Sequence, residues 1–111
     1  MFFNSKRFEI VDLTNQSILE LNKVNTLSFY IKDVLLNTEI SSVSYLPLKK
    51  AGRDTVPIGS YVSVTDITGD IMKFDFVPTD STIDSLTFRI RVVDIDDNEH
   101  VLYIDSYSVL A

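Results

Sequence analysis

Asp94, Asp96 and Asn98 alternate along the chain, with Asp97 and Glu99 set between and beside them. Carboxylate and amide oxygens at this spacing are hard ligands of the kind that calcium gathers. The candidate metal ligands are therefore Asp94, Asp96 and Asp97. The run departs from a helix–loop–helix calcium loop. Glu99 stands where such a loop needs glycine, and Asp105 where a bidentate glutamate is usual. The competing reading is a tight turn, because Asp and Asn tolerate positive φ and bond their own backbone. Both readings stay open at this point.

The single histidine, His100, follows directly on this acidic run. Nucleophilic hydrolysis needs a nucleophile, a base and an orienting group within hydrogen-bond reach. Asp105 and Ser106 stand too near His100 along one strand to wrap around it, and there is no Gly-x-Ser-x-Gly elbow. His100 is expected at a strand edge, facing solvent. Glycoside hydrolysis needs two carboxylates across a cleft, but the acidic residues fall on turns and outward strand positions. Tryptophan, a common sugar-stacking platform, is absent. Gly52, Gly59 and Gly69 lie too far apart for a phosphate loop. Without cysteine there are no disulfides, thiolate ligands or thiol nucleophiles, and one histidine makes no zinc set. The expectation is a non-enzymatic protein with no cofactor, calcium being the one exception considered.

Lys49, Lys50 and Arg53 form the one basic cluster. Lacking interleaved aromatics, they match nucleic-acid sites poorly; they read as solvated or as a contact for an acidic protein surface. Residues 1–57 carry seven basic and six acidic side chains, a net +1, whereas residues 58–111 carry three and ten, a net −7. That acidic half repels phosphate backbones, so no nucleic-acid partner is expected. Met1-Phe2-Phe3 is an apolar tip; Phe2 and Phe3 either tuck over the core or form an arm, residues 1–6, that docks on a neighbour. Partner binding is thus expected at Phe2, Phe3, Lys49, Lys50 and Arg53. No apolar run of signal-peptide length follows Lys6-Arg7, and no stretch approaches about 18 apolar residues. Synthesis in the cytoplasm and no membrane partner are expected.

The elements that must position these residues are strands. Val, Ile and Thr together number 32, against two alanines, and such stiff branched side chains suit a pleated sheet over a helix. With 45% hydrophobic residues in a chain of 111, intrinsic disorder is excluded and one domain, 1–111, is expected. Period-two alternation recurs throughout. It marks Phe8–Leu13, the short Ile18–Leu21 continuing that edge, Leu27–Lys32 and Ile40–Leu46. Pro47 to Gly59 breaks the pattern and is expected to be a long loop or irregular edge. Tyr61–Thr65 is expected to pair with Ile71–Phe76 across Asp66–Asp70, with Met72, Phe74 and Phe76 inward. In Leu86–Val92 the apolar residues point inward while Thr87, Arg89 and Arg91 point outward. Val101–Val109 closes the chain.

The segment Asp84-Ser85-Leu86-Thr87-Phe88-Arg89-Ile90 resembles the start of the sixth strand of immunoglobulin-like domains. The run from Phe88 to Asn98 is similar to the penultimate hairpin of bacterial immunoglobulin-like, fibronectin type III and cadherin-like modules. The sequence departs from that pattern in three places. Phe88 lacks the hydroxyl of the tyrosine corner, Ile90 replaces the antibody-type cysteine, and there is no tryptophan. The resemblance implies an all-β fold, an antiparallel β-sandwich of seven to eight strands with immunoglobulin-like topology.

It further implies binding or assembly in place of catalysis. A sandwich that starts at its own methionine without an export signal resembles structural proteins of bacteriophage particles. Those decorate capsids or attach to tails, so the expected partners are capsid or tail proteins or a second copy, and the expected location is a virion. The alternative is an accessory module of a secreted or surface adhesin or carbohydrate-active protein. It would hold calcium at Asp94, Asp96 and Asp97, or offer Tyr61, Tyr103 and Tyr107 as a glycan platform.

Overall fold

The computed structural model describes residues 8–14, 16–33, 40–51, 54–68 and 71–110. Phe2, Phe3 and Arg53, three of the expected partner-binding residues, lie outside the described residues. The strands are β1 (Phe8–Asp12), β2 (Ile18–Glu20), β3 (Asn25–Asp33), β4 (Ile40–Ala51) and β5 (Asp54–Pro57). They continue with β6 (Val62–Ser63), β7 (Asp66–Thr68), β8 (Ile71–Phe76), β9 (Ser85–Asp94) and β10 (Glu99–Leu110). One sheet runs β1-β3-β8-β7. The other runs β2-β10-β9-β4-β5, with β6 also paired to β4. These are the two strand orders of the immunoglobulin sandwich. The fold is an all-β immunoglobulin-like β-sandwich. The strand count exceeds seven or eight because both edges of the six-stranded sheet are broken: β1 and β2 divide one edge between the sheets, and β5 and β6 are two pieces of another.

The core is built by alternation. In β9, Leu86, Phe88, Ile90, Val92 and Asp94 are buried while the residues between them are half-buried. Phe88 is the hub: its ring meets Tyr45, Phe74, Phe76 and Tyr107 edge-on, with centroids 5.2–6.1 Å apart. Tyr45 stacks nearly flat on Phe74, at 4.0 Å. From the opposite sheet, Leu27, Phe29, Ile31, Met72 and Phe74 complete this core. At its margin the Tyr107 hydroxyl donates to the Asp12 carboxylate, joining β10 to β1 across the sandwich.

Three sequence expectations change. Ile18–Leu21 does not continue the first strand's edge; β2 lies in the other sheet and pairs parallel with β10. The crossover back to β3 is held by the buried Asn25. Its Oδ1 accepts the Glu20 N–H at 3.0 Å, and its Nδ2 donates to the carbonyls of Glu20 at 3.0 Å and Lys23 at 2.9 Å. Asn22, at φ 61, makes the tight turn between them.

Pro47 to Gly59 is not a long loop. β4 runs through Pro47 to Ala51 and pairs with β5. A residue's N–H and C=O point to the same neighbouring strand, and the Pro47 carbonyl accepts from Ile58 just beyond β5. The missing Pro47 N–H therefore falls in the gap between β5 and β6, where it interrupts no ladder bond to β9. Lastly, Tyr61–Thr65 does not pair with β8. Val62 and Ser63 lie against Tyr45 and Ser44, and the hairpin partner of β8 is β7.

Candidate functional site

The acidic run forms the β9–β10 hairpin loop. The Asp97 N–H donates to the Asp94 carbonyl, and the Asp94 N–H to the Asn98 carbonyl. Asp97 has φ 63, so Ile95–Asp97 is a three-residue loop of the turn-plus-bulge kind. Its candidate ligands separate. Asp94 points into the sandwich, where Oδ1 accepts the N–H groups of Asp96 at 2.9 Å and Asn98 at 3.0 Å. Its Oδ2 lies 3.0 Å from His100 Nε2. Asp96 and Asp97 are exposed. Among the described residues, no three His, Asp or Glu side chains converge to hold a metal ion.

His100 is not a solvent-facing residue. The loop length places it opposite Val92 on the inward row. Its side chain, 16% exposed, meets Asp94 and packs edge-on against the Phe8 ring at 4.7 Å. The His100 hydrogen bond, outweighing burial and helped by the Asn98 and Asp96 N–H groups, holds the Asp94 carboxyl below its ordinary value of 3.8. A carboxyl depressed in the folded state stabilises fully above the unfolded value, and its contribution fades as pH falls through the folded one. Asp94→Asn is expected to lower the melting midpoint at neutral pH. It should also flatten the further loss below about pH 4. Parallel acid slopes in wild type and variant would count against this assignment.

Lys49 and Lys50 are successive residues of β4, so they point to opposite faces of the sheet. They do not form one basic surface. A cleft of about 290 Å3 opens where β6 faces the β7–β8 edge, lined by Tyr45, Asp66, Lys73, Phe74 and Asp75 among others. Burial and the nearby Asp75 raise the Tyr45 hydroxyl above its ordinary value, so the phenol stays neutral there.

The densest set of functional groups lies on the outer face of the six-stranded sheet. Register places Leu46, Arg89 and Tyr103 in one transverse row, and Ser44, Arg91 and Val101 in the next. Leu46 and Val101 are buried on this outer face, outside the main core cluster. Tyr61, from the excursion between β5 and β6, lies under Arg91, with Cζ 4.3 Å from its ring centroid. Arg89 Cζ stands 5.7 Å from the Tyr103 ring centroid.

The two arginines differ in their partners. Arg91 Nε donates to Ser44 Oγ at 3.2 Å, and its guanidinium pairs with Glu99 at 3.5 Å. Arg89 has no carboxylate partner among the described residues, and its Nε is a buried donor without an acceptor. The Tyr61 hydroxyl is likewise buried and unpartnered. It approaches Arg89 without meeting hydrogen-bond geometry. Burial opposes the Arg89 charge, but the phenol groups of Tyr61 and Tyr103 beside it more than offset that, and the guanidinium is favoured above its ordinary value.

Alternation already places Arg89 and Arg91 outward. Pairing Arg89 with Tyr103 needs the hairpin register, which the three-residue loop sets. Tyr107 belongs to no surface platform. A bulge between Ile104 and Tyr107 reverses the phase of β10 and turns Tyr107 inward, where it is 3% exposed.

No protein-family model and no curated protein matches the chain. Solved structures do. A superoxide reductase (neelaredoxin) from Ignicoccus hospitalis is similar over 93% of this chain and 80% of its own, with TM-score 0.57 and 7% identity. Fibronectin(III)-like modules of CbhA from Clostridium thermocellum are similar over 93% of this chain and 96% of theirs, with TM-score 0.54 and 16% identity. At such identities the likeness is one of fold, and the fold shared with the fibronectin(III)-like modules is the immunoglobulin-like β-sandwich.

Proposed function

We propose that this chain is a non-catalytic accessory module that works by binding through the outer face of its six-stranded sheet. One observation carries the reading. Arg89, half-buried and without a carboxylate partner among the described residues, stands beside Tyr61 and Tyr103, while its neighbour Arg91 bonds Ser44 and pairs with Glu99. Arginine and tyrosine on a rigid sheet are the residue types on which binding energy concentrates. The one histidine is engaged with Asp94 inside a hairpin, an arrangement that serves the turn. The likeness to fibronectin(III)-like modules supports the same reading.

A second reading, a bacteriophage virion component docked on capsid or tail proteins or on a second copy, follows the resemblance described above. It is favoured by the outer face of the other sheet. There Val11, Tyr30 and Ile71 fall in one transverse row, with Val11 and Ile71 exposed.

Light scattering over a concentration series, with calcium and with chelator, separates the two. The accessory module is expected to remain a monomer in both. A calcium-independent oligomer that dissolves on Ile71→Lys would favour the assembly reading. The melting midpoint is expected to be the same in calcium and in chelator, because Asp94 is already saturated with donors; a ligand held by the folded state alone would raise it.

A further inference from the structure

We infer that Arg89, with Tyr61 and Tyr103, forms a subsite for a carboxylate-bearing sugar, a hexuronate unit of an acidic polysaccharide. The inference rests on the binding-module reading and names its ligand.

The donors come first. A guanidinium presents a planar fork that matches a carboxylate with two parallel hydrogen bonds. In folded proteins a buried donor is normally satisfied, yet Arg89 Nε and the Tyr61 hydroxyl beside its guanidinium both lack a hydrogen-bond partner among the described residues. An oxyanion seated on the solvent side of the half-buried Arg89 guanidinium would take up its charge, and one that turned the Tyr61 side chain aside would also reach Nε and the Tyr61 hydroxyl, which protein covers in the free chain. Arg91, two residues along the same face, has Glu99 as a carboxylate partner. Among the described residues the arginine of this face without a carboxylate is therefore Arg89.

The shape of the surroundings selects a sugar over an acidic protein segment. Tyr103, 46% exposed, stands beside Arg89 in its row and presents a phenol ring as a small flat platform. Leu46, on the other side of Arg89, is buried. Tyr103 is thus the one large apolar side chain exposed in the rows of Arg89 and Arg91 among the described residues. A protein interface centres on an apolar pocket that takes an anchor, and these rows have none. A pyranose needs a ring face to lie on and polar groups at its rim. The net charge of −6 repels polyanions at long range, so selectivity here comes from the local fork.

Affinity electrophoresis of the whole chain through gels containing polygalacturonate, a neutral galactan or dextran sulfate tests the assignment. Retardation by polygalacturonate alone is expected. Arg89→Gln should reduce it by at least about tenfold, the loss that goes with a hydrogen bond to a charged group. Tyr103→Ala should weaken it, and Lys73→Gln, an exposed position on β8 of the other sheet, should leave it unchanged. Each variant's melting curve checks that it is folded, so a lost interaction is not mistaken for unfolding.

Equal retardation by dextran sulfate would overturn the carboxylate assignment, as would wild-type binding by Arg89→Gln. No retardation, with the polymer intact, would overturn the sugar subsite and leave the module reading standing. New reducing ends released from the polymer would instead overturn the non-catalytic reading itself.

Discussion

Phe88→Ala is expected to be the most destabilising single substitution in this domain, at about 3–5 kcal/mol. The side chain is fully buried and lies between the sheets with four other rings around it. Two of those rings, Phe74 and Phe76, belong to the four-stranded sheet, and two, Tyr45 and Tyr107, to its own. None of them can collapse into the space without pulling its strand out of register. The cavity therefore stays open, and the loss includes the edge-to-face contacts as well as the transfer of the ring. Domains of this size have a total stability of about 5–15 kcal/mol, so the variant sits near the limit of folding. Urea melts are expected to show a lower midpoint with an unchanged slope. A loss under about 1 kcal/mol would mean that the ring cluster does not join the two sheets.

Asn25→Ala is expected to cost about 2–3 kcal/mol, through backbone groups that its amide satisfies. Removing the amide strands the Glu20 N–H and the carbonyls of Glu20 and Lys23 where water reaches them poorly. A third carbonyl, that of Phe76, lies 3.4 Å from the same nitrogen, so the amide also ties the crossover to β8. Asn25→Asp separates geometry from chemistry. It keeps an acceptor for the Glu20 N–H but turns a carboxylate toward three carbonyls, and it should be at least as harmful as alanine. Hydrogen exchange at Ile18–Glu20 should rise in both variants. An Asn25→Asp protein as stable as wild type would refute the role of Nδ2.

How far the fold was legible depended on the kind of strand. β9 was read nearly residue for residue, because it is central and its two faces differ in polarity at every step. Its last inward residue does not follow from the pattern, since Asp94 continues an apolar row with a carboxylate and looks like the start of a turn. The edges were harder. β2, β5, β6 and β7 are two to four residues long, too short for alternation to say which sheet they join. Pro47 looked like a break because the gap beside it exists only after β5 and β6 have docked.

The candidate site shows the same division. Outward arginines were visible from the alternation of β9, and Tyr61 and Tyr103 were visible as tyrosines. Their meeting depends on a loop length, a bulge and an excursion, which are tertiary facts. The bulge in β10 accounts for the inward turn of Tyr107: without it, Tyr103 and Tyr107 would share a face.

The parallel pairing of β2 with β10 has a mechanical consequence. Tension entering the domain ahead of β2 and leaving after β10 pulls these two neighbours past each other along their length. The bonds between them, from Ser108 and Ser17 through Leu21 and Leu110, then lie across the direction of pull and must yield together. An antiparallel hairpin such as β9–β10, pulled at its open end, parts one pair at a time. In a module tethered at both ends, tension that passes β1 and its pairing with β3 is thus borne by a clasp that shares it among several bonds.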